Sequence, residues 1–225
     1  MAKAARSTRS RKSTKDQASQ EPKVQDQQPA SDAGEAASSA PAAGGRDAVI
    51  DAAMALVAER GWARTAFADI AQAAGLSIAE LYRLFPDRWS ILAAFTARVD
   101  LAVLEVGDPE ATDPPRDRLF DLLMRRFDAL SPHRPAMRAI AEDARRDPLL
   151  ALGGGARLLR SMALTLDAAG IGTAGLRGRL RAKALTALYL SVLRIWMEDE
   201  SPDMSATMAG LDRRLTRFDR ILQIG

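Results

Sequence analysis

The chain has 225 residues, 47% of them hydrophobic and 27% charged, with a formal net charge of +3. That is the make-up of an ordinary globular protein, with room for one large domain or two small ones. It has no cysteine and one histidine, His133, which excludes disulfides, thiolate nucleophiles, cysteine-based or multi-histidine metal sites and most catalytic triads.

The charge is unevenly spread. Residues 1–15 carry six basic residues and no acid, whereas residues 16–45 carry five acids against Lys23 alone. Residues 1–44 are rich in Ser, Gln, Ala and Pro, with Val24 as the only branched aliphatic. Such a segment buries too little apolar surface to offset its ordering entropy, so a disordered tail, basic at its start, is expected. It reads equally as a solubilising tail, a nucleic-acid-touching arm or a transit-like leader. No apolar stretch follows it, unlike a secretory signal. No apolar run approaches the ~20 residues of a membrane helix, so no stable membrane insertion is expected. A cytoplasmic location follows from these readings.

From Arg46 the apolar residues take a helical period. Val49, Ile50, Ala53 and Val57 share one face, and Gly61 stops the run. A short helix is expected at 66–74, with Thr65 as its N-cap. Ala73-Ala74-Gly75-Leu76-Ser77 makes a turn. Ser77 and Glu80 form a capping box that opens a third helix, which ends near Phe85-Pro86. Asp87 caps a longer helix carrying Ile91, Leu92, Phe95, Val99 and Val103. Helix, short helix, glycine turn and second short helix form a helix-turn-helix, in which the second short helix enters the DNA major groove. Ile70, Leu76 and Leu81 are its expected buried pins.

Residues 107–115 read as a loop. Helical patterns follow at 116–130, 135–146 and 149–169. Gly153-Gly154-Gly155 interrupts the last of these; either the helix starts at Ala156 or the backbone there approaches something closely. Two amphipathic helices close the chain, about 176–198 and from Met204 onward. Met204, Met208, Leu211, Leu215, Phe218 and Leu222 are spaced like a helix-packing seam. No strand pattern occurs. The fold class expected is all-α: a disordered tail at 1–44, a three-helix helix-turn-helix domain at 45–90, and an α-helical ligand-binding and dimerisation domain at 91–225.

Residues 46–98 resemble the tetracycline-repressor (TetR) family of bacterial regulators. The resemblance is carried by Glu59-Arg60-Gly61-Trp62, Thr65, Asp69-Ile70-Ala71, Ala74-Gly75-Leu76-Ser77, Leu81-Tyr82-Arg83, Phe85-Pro86 and Leu92. It implies a ligand-responsive DNA-binding repressor that works as a homodimer on operator DNA. It places Thr65, Ser77, Tyr82 and Arg88 at phosphates, and Ile78, Ala79, Glu80 and Arg83 towards bases. It also implies dimerisation through the last two helices, with Leu188, Val192, Ile195, Met208, Leu211, Leu215 and Phe218 as the interface. Here the sequence departs from the family at Ala66, Ile78, Ala79 and Leu84.

Residues 176–215 resemble the TetR-fold, lipid-binding accessory protein of ubiquinone biosynthesis, through Lys183-Ala184, Leu188-Tyr189, Trp196, Asp199, Ser201, Asp203, Thr207 and Leu211. That resemblance implies an isoprenoid-binding protein with a vestigial helix-turn-helix. Asp199, Ser201 and Asp203 serve equally as helix caps.

A small apolar ligand is the expected cargo of the larger domain. Met124, Phe127, Met137, Met162 and Trp196 either border its pocket or pack the core. His133 and the pairs Arg125-Arg126, Arg145-Arg146 and Arg213-Arg214 read as solvent-facing. No phosphate loop, nucleophile elbow or metal-ligand spacing occurs. The protein is therefore read as a non-enzyme without catalytic residues, metal or cofactor.

Overall fold

The computed structural model describes residues 43–107 and 112–223; the basic tail expected at 1–44 lies almost wholly outside them. The described residues hold α-helices and a short 3-10 turn, with no strand among them. The helices are α1 (Ala43–Arg60), α2 (Phe67–Ala73), α3 (Ile78–Leu84), α4 (Arg88–Glu105), α5 (Pro115–Leu130), α6 (Arg134–Ala144), α7 (Pro148–Ala168), α8 (Gly175–Glu198) and α9 (Ser205–Gln223). The 3-10 turn Ser131–His133 joins α5 to α6.

Local chemistry sets most of these boundaries. Gly61 and Gly75 adopt φ of 85° and 69°, the left-handed conformation that only glycine takes without a Cβ penalty. Ser77 and Glu80 form the expected capping box, and the Asp87 side chain accepts from the Ser90 amide at 2.7 Å. Pro115 and Pro148 each open a helix, where a missing N–H costs nothing. The expected cap of α2 is corrected. Its N-cap is Ala66, and the Asp69 carboxylate reaches back to the Ala66 amide at 2.9 Å.

α1, α2 and α3 form the three-helix head. Val49, Ala53, Val57, Ile70 and Leu81 are buried at its centre, as the periodicity requires. α1 packs against α2, α4 and α6. The expected domain boundary at residue 90 falls inside α4, which packs on α1 at one side and on α5 and α7 at the other.

α7 runs unbroken through Gly153, Gly154 and Gly155, which resolves the choice left open by the sequence. Each glycine there weakens the helix by about 1 kcal/mol relative to alanine. α7 is also, among the described residues, the one helix long and apolar enough to cross a membrane by length and composition, although Arg157, Arg160 and Asp167 interrupt its apolar run.

The closing seam lies inside the chain. Leu188, Val192, Leu211, Leu215 and Phe218 are each 8% exposed or less, where α8 packs on α9. At the α8–α9 corner the Asp199 carboxylate accepts from the backbone N–H and side-chain hydroxyl of Thr207, and from the same two groups of Ser201. Burial alone would raise its pKa, but these hydrogen bonds outweigh burial and bring it down to about 2. A carboxyl held below its unfolded value stabilises the fold above that value. The contribution is lost as pH falls through the range from 4 towards 2. Asp199→Ala is expected to cost about 1–2 kcal/mol near neutral pH, and the difference from the parent in urea unfolding should shrink on acidification.

Candidate reading head and ligand cavity

α3 is pinned by Leu81 and Phe85, both fully buried, and by the half-buried Leu84. Its other face is open. Ile78 is 57% and Tyr82 63% exposed, with Ala79 and Arg83 beside them at the surface. Two large apolar residues left in water on a helix of seven are the mark of a contact surface. Ser77 also lies at this surface, opening the helix. Glu80 is exposed, but its carboxylate accepts from the Ser77 amide at 2.8 Å and from the Ser77 hydroxyl at 2.7 Å. Those bonds hold its pKa below the ordinary carboxylate value. Glu80 is therefore a helix cap, while Ile78, Ala79, Tyr82 and Arg83 lie exposed beside it.

Two of the expected phosphate contacts turn inward. Thr65 is 1% exposed, and its hydroxyl donates to the Gly61 carbonyl at 2.7 Å. Arg88 donates to the carbonyls of Trp62 and Thr65 at 3.2 and 3.0 Å, with its guanidinium over the Trp62 and Trp89 rings. The loop after α1 leaves carbonyls without helical partners, and Thr65 and Arg88 satisfy them. Arg46 does the same for α3, donating to the Leu84 carbonyl at 2.6 Å and lying over Phe85.

Two elements tie this head to the larger helical part. The first is α4, whose Arg88 holds the loop. The second is α6, whose Asp143 accepts from the Ala63 amide at 3.0 Å. A Cβ on Gly61 would lie 2.9 Å from the same carboxylate. The backbone angle requires the glycine, and a Cβ there would also push aside the carboxylate that holds the Ala63 amide.

The same two helices wall a cavity of about 420 Å³, within the usual size of a small-molecule site. α4 contributes Leu92 and Phe95, α6 Met137 and Ile140, and α8 Tyr189, Leu193 and Met197. α5 adds Arg126, and α7 adds Gly154, Gly155 and Arg157. Of the five residues expected at a pocket, Met137 alone lines it. Phe127, Met162 and Trp196 are fully buried core. Phe127 stacks on Tyr189 and Trp196, with centroids 5.2 and 5.8 Å apart. Met124 packs on that core without reaching the cavity.

The sequence reading missed the polar lining. Arg126, read as solvent-facing, is 5% exposed. Its guanidinium donates to Asp100 and lies over the Tyr189 ring. Burial works against the charged form, but Tyr189 and Asp100 more than offset it, and the pKa of Arg126 rises above its ordinary value. Burial likewise raises the pKa of Tyr189, which stays protonated. His133, also expected at the surface, is half-buried with its ring edge-on to Phe95, centroids 5.0 Å apart. The one signal that pointed to the cavity was the glycine triplet inside a helical pattern.

The expected dimer residues need correction too. Leu188, Val192, Leu211, Leu215 and Phe218 are consumed by the α8–α9 packing within one chain, and Ile195 and Met208 are half-buried in it. The apolar residues left on the outer face of α8 are Leu176, Leu180 and Leu190, at 84%, 61% and 44% exposed. Ala187 lies on that face between the last two.

Residues 49–95 match the model of the bacterial regulatory proteins of the tetR family. A TetR transcriptional regulator from Nitrosomonas europaea is 26% identical, with a TM-score of 0.63 over 78% of this chain and 98% of its own. The SmeT–triclosan complex is 26% identical, with a TM-score of 0.54 over 77% of this chain and 91% of its own. A TetR regulator from Rhodococcus sp. RHA1, 19% identical with a TM-score of 0.56, covers 77% of this chain and 95% of its own, and shares the fold. No curated protein matches the chain. These similarities lend no support to the resemblance with the ubiquinone-biosynthesis protein, and Asp199, Ser201 and Thr207, which helped to carry it, form the helix cap described above. The helix-turn-helix, the all-α fold and the cavity behind it agree with one assignment: residues 49–95 carry a DNA-binding domain of the tetR type, and the chain shares the fold of TetR transcriptional regulators.

Proposed function

We propose that the protein is a homodimeric repressor that binds operator DNA through α3 and lets go when a small molecule fills the cavity. The observation that carries this reading is the open face of α3, with Ile78, Ala79, Tyr82 and Arg83 exposed on a helix otherwise pinned into the head. Arg83 is the candidate for a guanine edge, and Ile78 and Ala79 for a thymine methyl. The Tyr82 and Ser77 hydroxyls suit phosphates. The dimer is formed by the outer face of α8 with α9. TetR-family regulators act in the cytoplasm, are generally not enzymes and typically bind DNA as dimers, and the same is proposed for this chain.

Release follows from the walls the cavity shares with the head. α4 and α6 line the cavity and also hold the loop after α1, through Arg88 and Asp143. A ligand that parts these helices rotates the head. Two heads must meet major grooves about 34–36 Å apart, so small rotations weaken binding strongly.

The test is binding to the DNA upstream of the protein's own gene across a salt series. It compares the full chain, a version lacking residues 1–44, and Arg83→Ala. Losing one guanine contact costs about 1–3 kcal/mol, so Arg83→Ala should bind roughly ten- to a hundredfold more weakly, with relaxed sequence preference. Binding that Arg83→Ala leaves unchanged, or that vanishes once the tail is removed, would sink the reading.

A further inference from the structure

The cavity wall is apolar over most of its extent, but its charged side chains are all of one sign. Four arginines line it, Arg126, Arg145, Arg157 and Arg194, and no aspartate or glutamate does. Two of them have partners close by: Arg126 donates to Asp100, and Arg145 pairs with Glu142.

Arg157 differs. Its Nη1 donates to the Gly153 carbonyl at 3.1 Å, and its buried Nε has no acceptor. Among the described residues no carboxylate pairs with it. The Nε of Arg126 is likewise buried without an acceptor. A guanidinium placed partly out of water without a counter-ion is unfavourable, and a planar fork of donors suits an oxyanion such as a carboxylate, which the apolar lining can carry on a hydrocarbon body.

The glycines beside Arg157 are a second, independent observation. A Cβ on Gly154 or Gly155 would meet nothing within 4 Å. Packing therefore does not require glycine there, and helix propensity disfavours it. Both glycines line the cavity, and their bare backbone keeps open the wall one turn from Arg157.

We propose that the cavity takes an amphipathic carboxylate, its anionic head at Arg157 and its aliphatic or aromatic body along Leu92, Phe95, Met137, Ile140 and Leu193. The apolar expectation for the ligand is thereby narrowed to an acid with an apolar body. The inference rests on the ligand-responsive reading above, and its test is made without DNA so that the two fail separately.

The test is calorimetric titration of the full chain with decanoate, naphthoate and the neutral decanol. A charge-assisted hydrogen bond should make decanoate bind at least about tenfold tighter than decanol. Arg157→Gln should bring that ratio to within about twofold with decanol affinity unchanged, and Arg157→Lys should keep part of it. Gly154→Leu fills the cavity and should abolish binding of all three, with no loss of thermal stability. The tighter of decanoate and naphthoate tells an aliphatic from an aromatic body. The proposal is overturned if decanol equals decanoate, if Arg157→Gln leaves decanoate affinity intact, or if none of the three binds the folded protein.

Discussion

Leu180→Glu is expected to turn the protein into a folded monomer. Leu180 is 61% exposed in the single chain and shares the outer face of α8 with Leu176, Ala187 and Leu190. The four make an apolar stripe on α8, interrupted by the exposed Lys183 and Arg194, and a stripe of this kind on a surface helix suits a symmetric bundle interface. In a two-fold contact every substitution occurs twice, so two carboxylates would be desolvated across one interface. Stability of the single chain should change by no more than about 0.5 kcal/mol, since the site is at the surface. Operator affinity should fall about a hundredfold or more, because the second half-site no longer profits from effective concentration. Leu211→Glu is the contrast. Leu211 is fully buried between α8 and α9, and a charge placed there should unfold the chain. Sedimentation equilibrium and circular dichroism separate the two outcomes. A dimer that survives Leu180→Glu, together with a monomeric, folded Leu211→Glu, would return the interface to the seam expected from the heptad spacing.

Asp100→Asn is expected to be among the most destabilising isosteric changes in the protein. Asp100 accepts from the buried Arg126 guanidinium and from the Ser161 hydroxyl. Arg126 keeps its proton at every accessible pH, so removing the opposing charge leaves a cation buried without its partner. That costs about 3–5 kcal/mol, which for a chain of this size is a fall in Tm of roughly 6–20 °C. Replacing both partners, as Asp100→Leu with Arg126→Met, should cost far less than the single change, because no charge is stranded. Urea unfolding of the single and double variants measures this. Equal and additive losses would mean that the pair is not coupled.

Much of the head was legible from local chemistry. Gly61 and Gly75 end helices because the chain needs positive φ there, and Ser77 with Glu80 starts α3 because helix N-termini leave donors unpaired. These devices act within a few residues and are written in the order of the sequence. The roles of Thr65 and Arg88 were not. Both are polar and adjoin a loop, which suits phosphate contact, but carbonyls of that loop claimed them first. Glu80 was legible as a cap, and only the structure shows how fully the cap occupies its carboxylate.

The larger part divides in the same way. Helical period and prolines located α5 to α9 to within two residues, since an amphipathic helix carries its apolar stripe in its own sequence. A stripe says that a face is buried and not against what. The heptad-like residues of α9 found α8 of the same chain, and Phe127, Met162 and Trp196 found one another rather than a ligand. Arg126, a charged residue in a helical run, read as solvated until α4, α7 and α8 closed around it. By itself the sequence determined the all-α class, the helix-turn-helix and the surface of α3, because turns, caps and periodicity are local. Tertiary structure alone decided which residues line the cavity, which cations it buries and which face of α8 is left outward, because those depend on how helices distant in sequence pack together.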